Sequence, residues 1–144
     1  KTSSDVDDFA DYLALEDRLF AQLETEVYAN TPAPEGQSIN RFEKGSMMDP
    51  TSMKTNWNRT FELTQTSPRA GVLLLHGMSD SPYSLRHLGK TFHEAGASVI
   101  GLRIPGHGTA PSGLVKTTWK DMAAMLNPPT PFSSLPEVSV WADS

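Results

Sequence analysis

Gly71-Val72-Leu73-Leu74-Leu75-His76-Gly77-Met78-Ser79-Asp80-Ser81-Pro82 is the stretch whose reading decides the fold. A continuous apolar run bounded by turn residues reads as a strand buried on both faces. It ends abruptly at His-Gly, and the segment from Tyr83 to Ala95 reads as a helix. A buried strand that breaks at a glycine and feeds a helix leaves backbone N–H groups converging on one point. That geometry suits an anion or a developing oxyanion.

Working outward, Leu85, Leu88 and Phe92 form the apolar stripe of the helix, and Gly96 is its expected stop. Ala97 to Arg103 reads as a second strand, parallel to the first because a helix connects them. Trp57 to Thr66 alternates as an edge strand does. Residues 5–28 read as an amphipathic helix. Tyr12, Leu15, Leu19, Leu23 and Val27 lie on one face, Asp and Glu on the other, and Ser4 and Asp7 act as caps. Thr118 starts a further helix with Asp121 as capping partner and Trp119, Met122 and Met125 as apolar positions. The run Asn127-Pro128-Pro129-Thr130-Pro131 cannot be helical. Glu137 to Trp141 then reads as a short strand.

These elements give an α/β fold organised as three segments. They are an N-terminal helix and irregular extension over 1–56, a strand–helix–strand core over 57–126, and a proline-rich segment with a short strand over 127–144. With 144 residues, 38% hydrophobic and a net charge of −5, the chain is long enough for one core. Its acidic balance argues against nucleic acid as a partner. No window approaches the apolar length of a membrane span. There is no cysteine, which rules out a disulfide framework and leaves the compartment undecided. The chain opens at Lys1, so a leader or anchor upstream stays open. Asn58-Arg59-Thr60 matches a glycosylation sequon.

His76-Gly77-Met78-Ser79-Asp80-Ser81-Pro82, followed after the next strand by Arg103-Ile104-Pro105-Gly106-His107-Gly108, resembles the α/β-hydrolase superfamily. The similarity is to its carboxylesterase and monoacylglycerol-lipase-like group and covers about residues 70–122. The resemblance implies a partial α/β-hydrolase fold: a mostly parallel sheet with crossover helices, here with an N-terminal helical extension. It implies that the backbone N–H of Met78 is an oxyanion-hole donor, with Gly77 permitting the turn. His76 would hold the loop by hydrogen bonds, the Met78 side chain would line an acyl pocket, and Tyr83 would cap the site edge. His76, Gly77 and Tyr83 thus count as substrate-binding positions. Gly106 and Gly108 would let the second loop turn, with His107 packed beneath it.

The implied reaction is carboxylic-ester hydrolysis through a serine acyl-enzyme, on a small ester or acylglycerol, with no cofactor. The two loop histidines have no partners at metal-ligand spacing, so no metal is expected. Ser79 is an alternative nucleophile, since Gly77-Met78-Ser79-Asp80-Ser81 imitates a nucleophile elbow. Against it, Pro82 and the Pro-Gly-His-Gly loop match the oxyanion segment, and the family's nucleophile comes later in the chain. No Gly-x-Ser-x-Gly occurs and no histidine follows His107. Asp143, after the strand at Val138–Trp141, is a candidate triad acid. A truncated or internally deleted hydrolase, joined pieces of a longer chain, or one chain of a two-part enzyme each account for the gaps. The rival class is a non-catalytic interaction module or inactive fragment, meeting a partner through the N-terminal helix and the Trp57–Leu63 strand.

Overall fold

The computed structural model describes residues 8–30, 38–40, 43–124 and 138–142. Its sheet has four strands in the order β1-β3-β2-β4: β1 (Phe61–Leu63), β2 (Gly71–Leu75), β3 (Ser98–Leu102) and β4 (Val138–Ala142). β2 pairs in parallel with β3 on one side and with β4 on the other. β1 closes one edge antiparallel to β3. The sequence-predicted strands are therefore present, with β1 much shorter than expected. Residues 58–60 leave the ladder, their amides being engaged elsewhere. The Asn58 N–H donates to Asn56 Oδ1, and the Thr60 N–H donates to the Glu16 carboxylate.

Successive side chains of a strand point to opposite faces, and β2 divides its leucines accordingly. Val72 and Leu74 join Phe61, Leu85, Ala97 and Val99 on one face, with Phe92 of α2 (Arg86–Glu94) packed against them. Leu73 joins Ile100, Leu102 and Tyr12 on the other, with Phe9 and Leu13 of α1 (Phe9–Gln22) alongside. The N-terminal helix is thus the layer that covers the second face of the sheet. Because helices cover both faces, every residue of β3 is buried.

The buried face of α1 differs from the expected stripe. Its inward positions are Phe9, Tyr12, Leu13 and Glu16, while Leu19 is exposed. The face turns because Glu16 is drawn inward to a cation, described below. Asp8 caps the helix, its side chain accepting from the Asp11 N–H at 2.8 Å. The expected caps Ser4 and Asp7 lie outside the described residues. The helix then widens into a π-turn at Leu23–Val27 and ends in a 3₁₀ turn at Tyr28–Asn30.

The crossover helix begins as a 3₁₀ turn, Pro82–Leu85, before continuing as α2. It stops at Gly96, whose φ of +96° suits glycine. α3 (Trp119–Ala124) is capped as expected: Thr118 Oγ1 donates to Asp121 Oδ2 at 2.6 Å. Trp119, however, is 71% exposed and not a core position. Met125 and the proline-rich run Asn127–Pro131 lie outside the described residues.

The Phe61 ring lies flat where a Cβ on Gly101 would stand, 2.1 Å from its Cε1, and also crowds Gly89 at 2.9 Å. Trp57 closes it in edge-on at 5.0 Å between centroids. The ring has nowhere to retreat. Gly101→Ala is expected to cost about 2 kcal/mol or more, read as a lower urea midpoint. Phe61→Leu in the same chain should recover part of that loss.

Candidate functional site

In an open parallel sheet, ligands bind outside the carboxyl ends of the strands, where the chain order reverses. Here the reversal is at β2, since β3 lies on one side of it and β4 on the other. The His76–Ser81 loop leaves the sheet at that point. Leu75 pairs with Leu102 of β3 and Ala142 of β4, so the second loop, from Arg103, leaves at the same level.

His76 is buried, and both of its ring nitrogens are used. Nδ1 lies 2.9 Å from the Gly77 carbonyl, which can only accept, so Nδ1 carries the proton. Nε2 then accepts from the Ile104 N–H at 3.1 Å. The ring ties its own loop to the start of the second. Burial pushes its pKa down to about 4, which keeps it neutral.

The left-handed residue of the first loop is Ser79, with φ +60°. A serine in this region carries backbone strain. Met78 is 72% exposed, so its side chain does not line an enclosed pocket. Among the described residues its N–H has no hydrogen-bond partner. Tyr83 is buried in the 3₁₀ turn beneath the Arg86 guanidinium, 3.8 Å from the ring centroid.

The second loop turns through Gly106 (φ +77°) and Gly108 (φ +70°). Space also requires glycine there. A Cβ would stand 2.2 Å from Thr117 Oγ1 at the first and 2.3 Å from the Asn58 carbonyl at the second. The His107 ring is buried 5.2 Å from that of His76, centroid to centroid. Its Nδ1 meets the Pro105 carbonyl at 2.9 Å, and its Nε2 is buried with no partner among the described residues. Between the loops lies a cavity of about 180 Å³ lined by Ser79, Asp80, the Gly106–Ala110 turn and Leu114. Ser79, Gly106, His107 and Gly108 thus come together, whereas Tyr83 stands apart. Asp143 lies outside the described residues.

Five residues that hold this arrangement, Asn58, Arg103, Glu16, Thr60 and Tyr12, did not show these roles in the sequence. Asn58 is 1% exposed and accepts from the buried Ser81 hydroxyl at 2.8 Å. That burial removes it as a glycan acceptor. Arg103 ends the buried strand with its side chain 2% exposed, donating from Nε to Glu16 Oε1 at 2.7 Å and from Nη1 to the His107 carbonyl at 3.0 Å. Thr60 Oγ1 accepts from the Arg103 N–H and donates to Glu16. The Tyr12 hydroxyl donates to the Arg103 carbonyl, and burial pushes that phenol up to about 12, so it stays a donor. A charge at the end of an apolar strand, as at Arg103, is the one signal that could have prompted a search for a buried partner. Among the described residues, no three His, Asp or Glu side chains converge on a metal-sized site.

The depressed His76 pKa makes a stability prediction. Between its ordinary 6.5 and about 4, the unfolded chain takes up a proton that the folded chain refuses. Stability is therefore present above pH 6.5 and lost as pH falls toward 4, by up to about 3 kcal/mol from this group. Urea midpoints measured from pH 7 to 4 should fall less steeply in His76→Gln than in the parent chain. Equal acid slopes would contradict the assignment.

Compared with known proteins, the chain matches no family model. Over 54 residues it is 41% identical to a thermostable monoacylglycerol lipase from Bacillus sp. (strain H-257), a match covering 38% of this chain and 22% of that lipase. The chain therefore spans about a fifth of the length of this curated relative. A solved structure from work on LipS and LipT, two metagenome-derived lipolytic enzymes, aligns at 25% identity. Its TM-score is 0.46, over 61% of this chain and 36% of that one. With its mixed α/β sheet and its match to a lipase, the chain is similar over part of its length to the esterase- and lipase-like α/β-hydrolases.

Proposed function

We propose that this chain carries the oxyanion-binding portion of a carboxylic-ester hydrolase that works through a serine acyl-enzyme on small esters or acylglycerols. One observation supports the reading most: the Met78 N–H, unpartnered among the described residues, in a loop that leaves the sheet beside the switch point. A tetrahedral intermediate places negative charge on the former carbonyl oxygen, and a fixed backbone donor stabilises that charge without reorganising. Neutral His76 suits the role of an anchor, because its two nitrogens are already engaged by Gly77 and Ile104. The attacking serine and its base come from chain outside the two loops, entering the crevice at the carboxyl ends of β2 and β4.

A second reading makes Ser79 the nucleophile, favoured by its strained backbone and its place in the same cavity as His107. The interaction-module reading draws less support, because α1 already spends its apolar face on the sheet.

The purified chain, assayed with a short-chain p-nitrophenyl ester, should show no saturable turnover above buffer. Turnover that disappears in Ser79→Ala would replace the first reading with the second. A hybrid lipase tests the donor directly. In it, residues 71–108 of this chain replace the corresponding strand–loop–helix–strand–loop of the Bacillus monoacylglycerol lipase. That hybrid should hydrolyse esters, and Met78→Pro, which deletes the N–H, should lower kcat about 100-fold or more. Met78→Ala keeps the N–H and should change kcat less than about threefold. Equal effects of the two substitutions would refute the backbone role.

A further inference from the structure

We infer that Glu16, on the N-terminal helix, is a positioning residue for the second loop. Through the Arg103 guanidinium it fixes the His107 carbonyl and so sets the Gly106–Gly108 turn against the first loop. The inference rests on the proposed reading of the two loops as one site.

Glu16 does not line the cavity between the loops and meets the second loop at its first residue, Arg103. Its carboxylate is buried at 1% exposure and collects Arg103 Nε, the Thr60 N–H and the Thr60 hydroxyl, with the Tyr12 hydroxyl at 3.5 Å and Arg59 Nε at 3.7 Å completing its surroundings. Thr60 Oγ1 in turn accepts from the Arg103 N–H at 3.0 Å, closing a ring of hydrogen bonds around the exit of β3. The Tyr12 hydroxyl, one turn earlier on α1, takes the Arg103 carbonyl. Arg103 is therefore gripped by its amide, its carbonyl and its guanidinium. The guanidinium's remaining bond in this set reaches forward to the His107 carbonyl.

The choice of residues argues for specification rather than bulk packing. Apolar side chains of similar volume fill a helix–sheet layer at least as stably as a buried ion pair. What the pair adds is direction. A guanidinium donates in a fixed planar fork, so anchoring one edge of it to Glu16 aims the other at a single carbonyl. Without the carboxylate, Arg103 is a buried cation with no counter-charge and must turn toward solvent, releasing the His107 carbonyl. The second loop then keeps its glycine turns but loses the tie that holds them against Asn58 and the cavity.

Amide hydrogen exchange of the full chain tests this without substrate. In Glu16→Gln, which keeps the shape and removes the charge, the Gly106–Thr109 amides should exchange about tenfold faster or more. The β2 and β3 amides should stay protected, and the His107 ring resonances should move. Glu16→Asp should restore part of the protection. Asp17→Asn, which removes an exposed partner of Arg59, should change neither loop. Unchanged loop exchange in folded Glu16→Gln would overturn the positioning role. So would loss of protection throughout the sheet in both Glu16 variants. Since no ester is used, a failure of the hydrolase reading would show in the turnover assays and leave this result standing.

Discussion

The buried contact between Arg103 and Glu16 is the interaction on which the rest of the structure depends. Each of its charges is expensive in an apolar layer and tolerable only with a close, hydrogen-bonded partner. That requirement turns the inward face of α1 toward the exit of β3, and with it brings Tyr12, Phe9 and Leu13 onto the sheet. It also pulls the turn before β1 into place, because Thr60 bonds to both members of the pair. One ion pair thereby links the N-terminal helix, the edge of the sheet and the loop that follows β3.

Beside this brace the site is assembled from backbone. The His76 imidazole joins the two loops by bonds to Gly77 and Ile104, and Asn58 reaches both loops, bonding Ser81 and crowding Gly108. Side chains that are normally candidates for proton transfer here serve as struts. Among the described residues the Met78 N–H has no hydrogen-bond partner, and it lies at the level of the sheet where β4 and β2 end together.

Much of this was legible in the chain, for stated physical reasons. The run Gly71–Leu75 could only be a strand covered on both faces, and Gly96 and the Thr118–Asp121 pair marked helix ends by chemistry confined to a few residues. The two glycine-rich turns pointed to the loops that meet. What escaped was long-range. Glu16 sits 87 residues from Arg103, and nothing local to α1 distinguishes it from Asp17, which faces water. Asn58 looked like a glycan acceptor because its triplet is local, while the Ser81 hydroxyl that buries it is 23 residues away. The left-handed turn at Ser79 also escaped, since a serine carries no local mark of that conformation.

A double-mutant cycle on Glu16 and Arg103 tests the central claim most directly. Urea unfolding would be measured for Glu16→Leu, Arg103→Met and the pair together. If the ion pair organises the structure, each single change costs about 3 kcal/mol or more by stranding a buried charge. The double variant then loses much less than the sum, with a coupling above about 2 kcal/mol. Additivity to within about 0.5 kcal/mol would mean the two residues act independently, and the account built on their contact would fail.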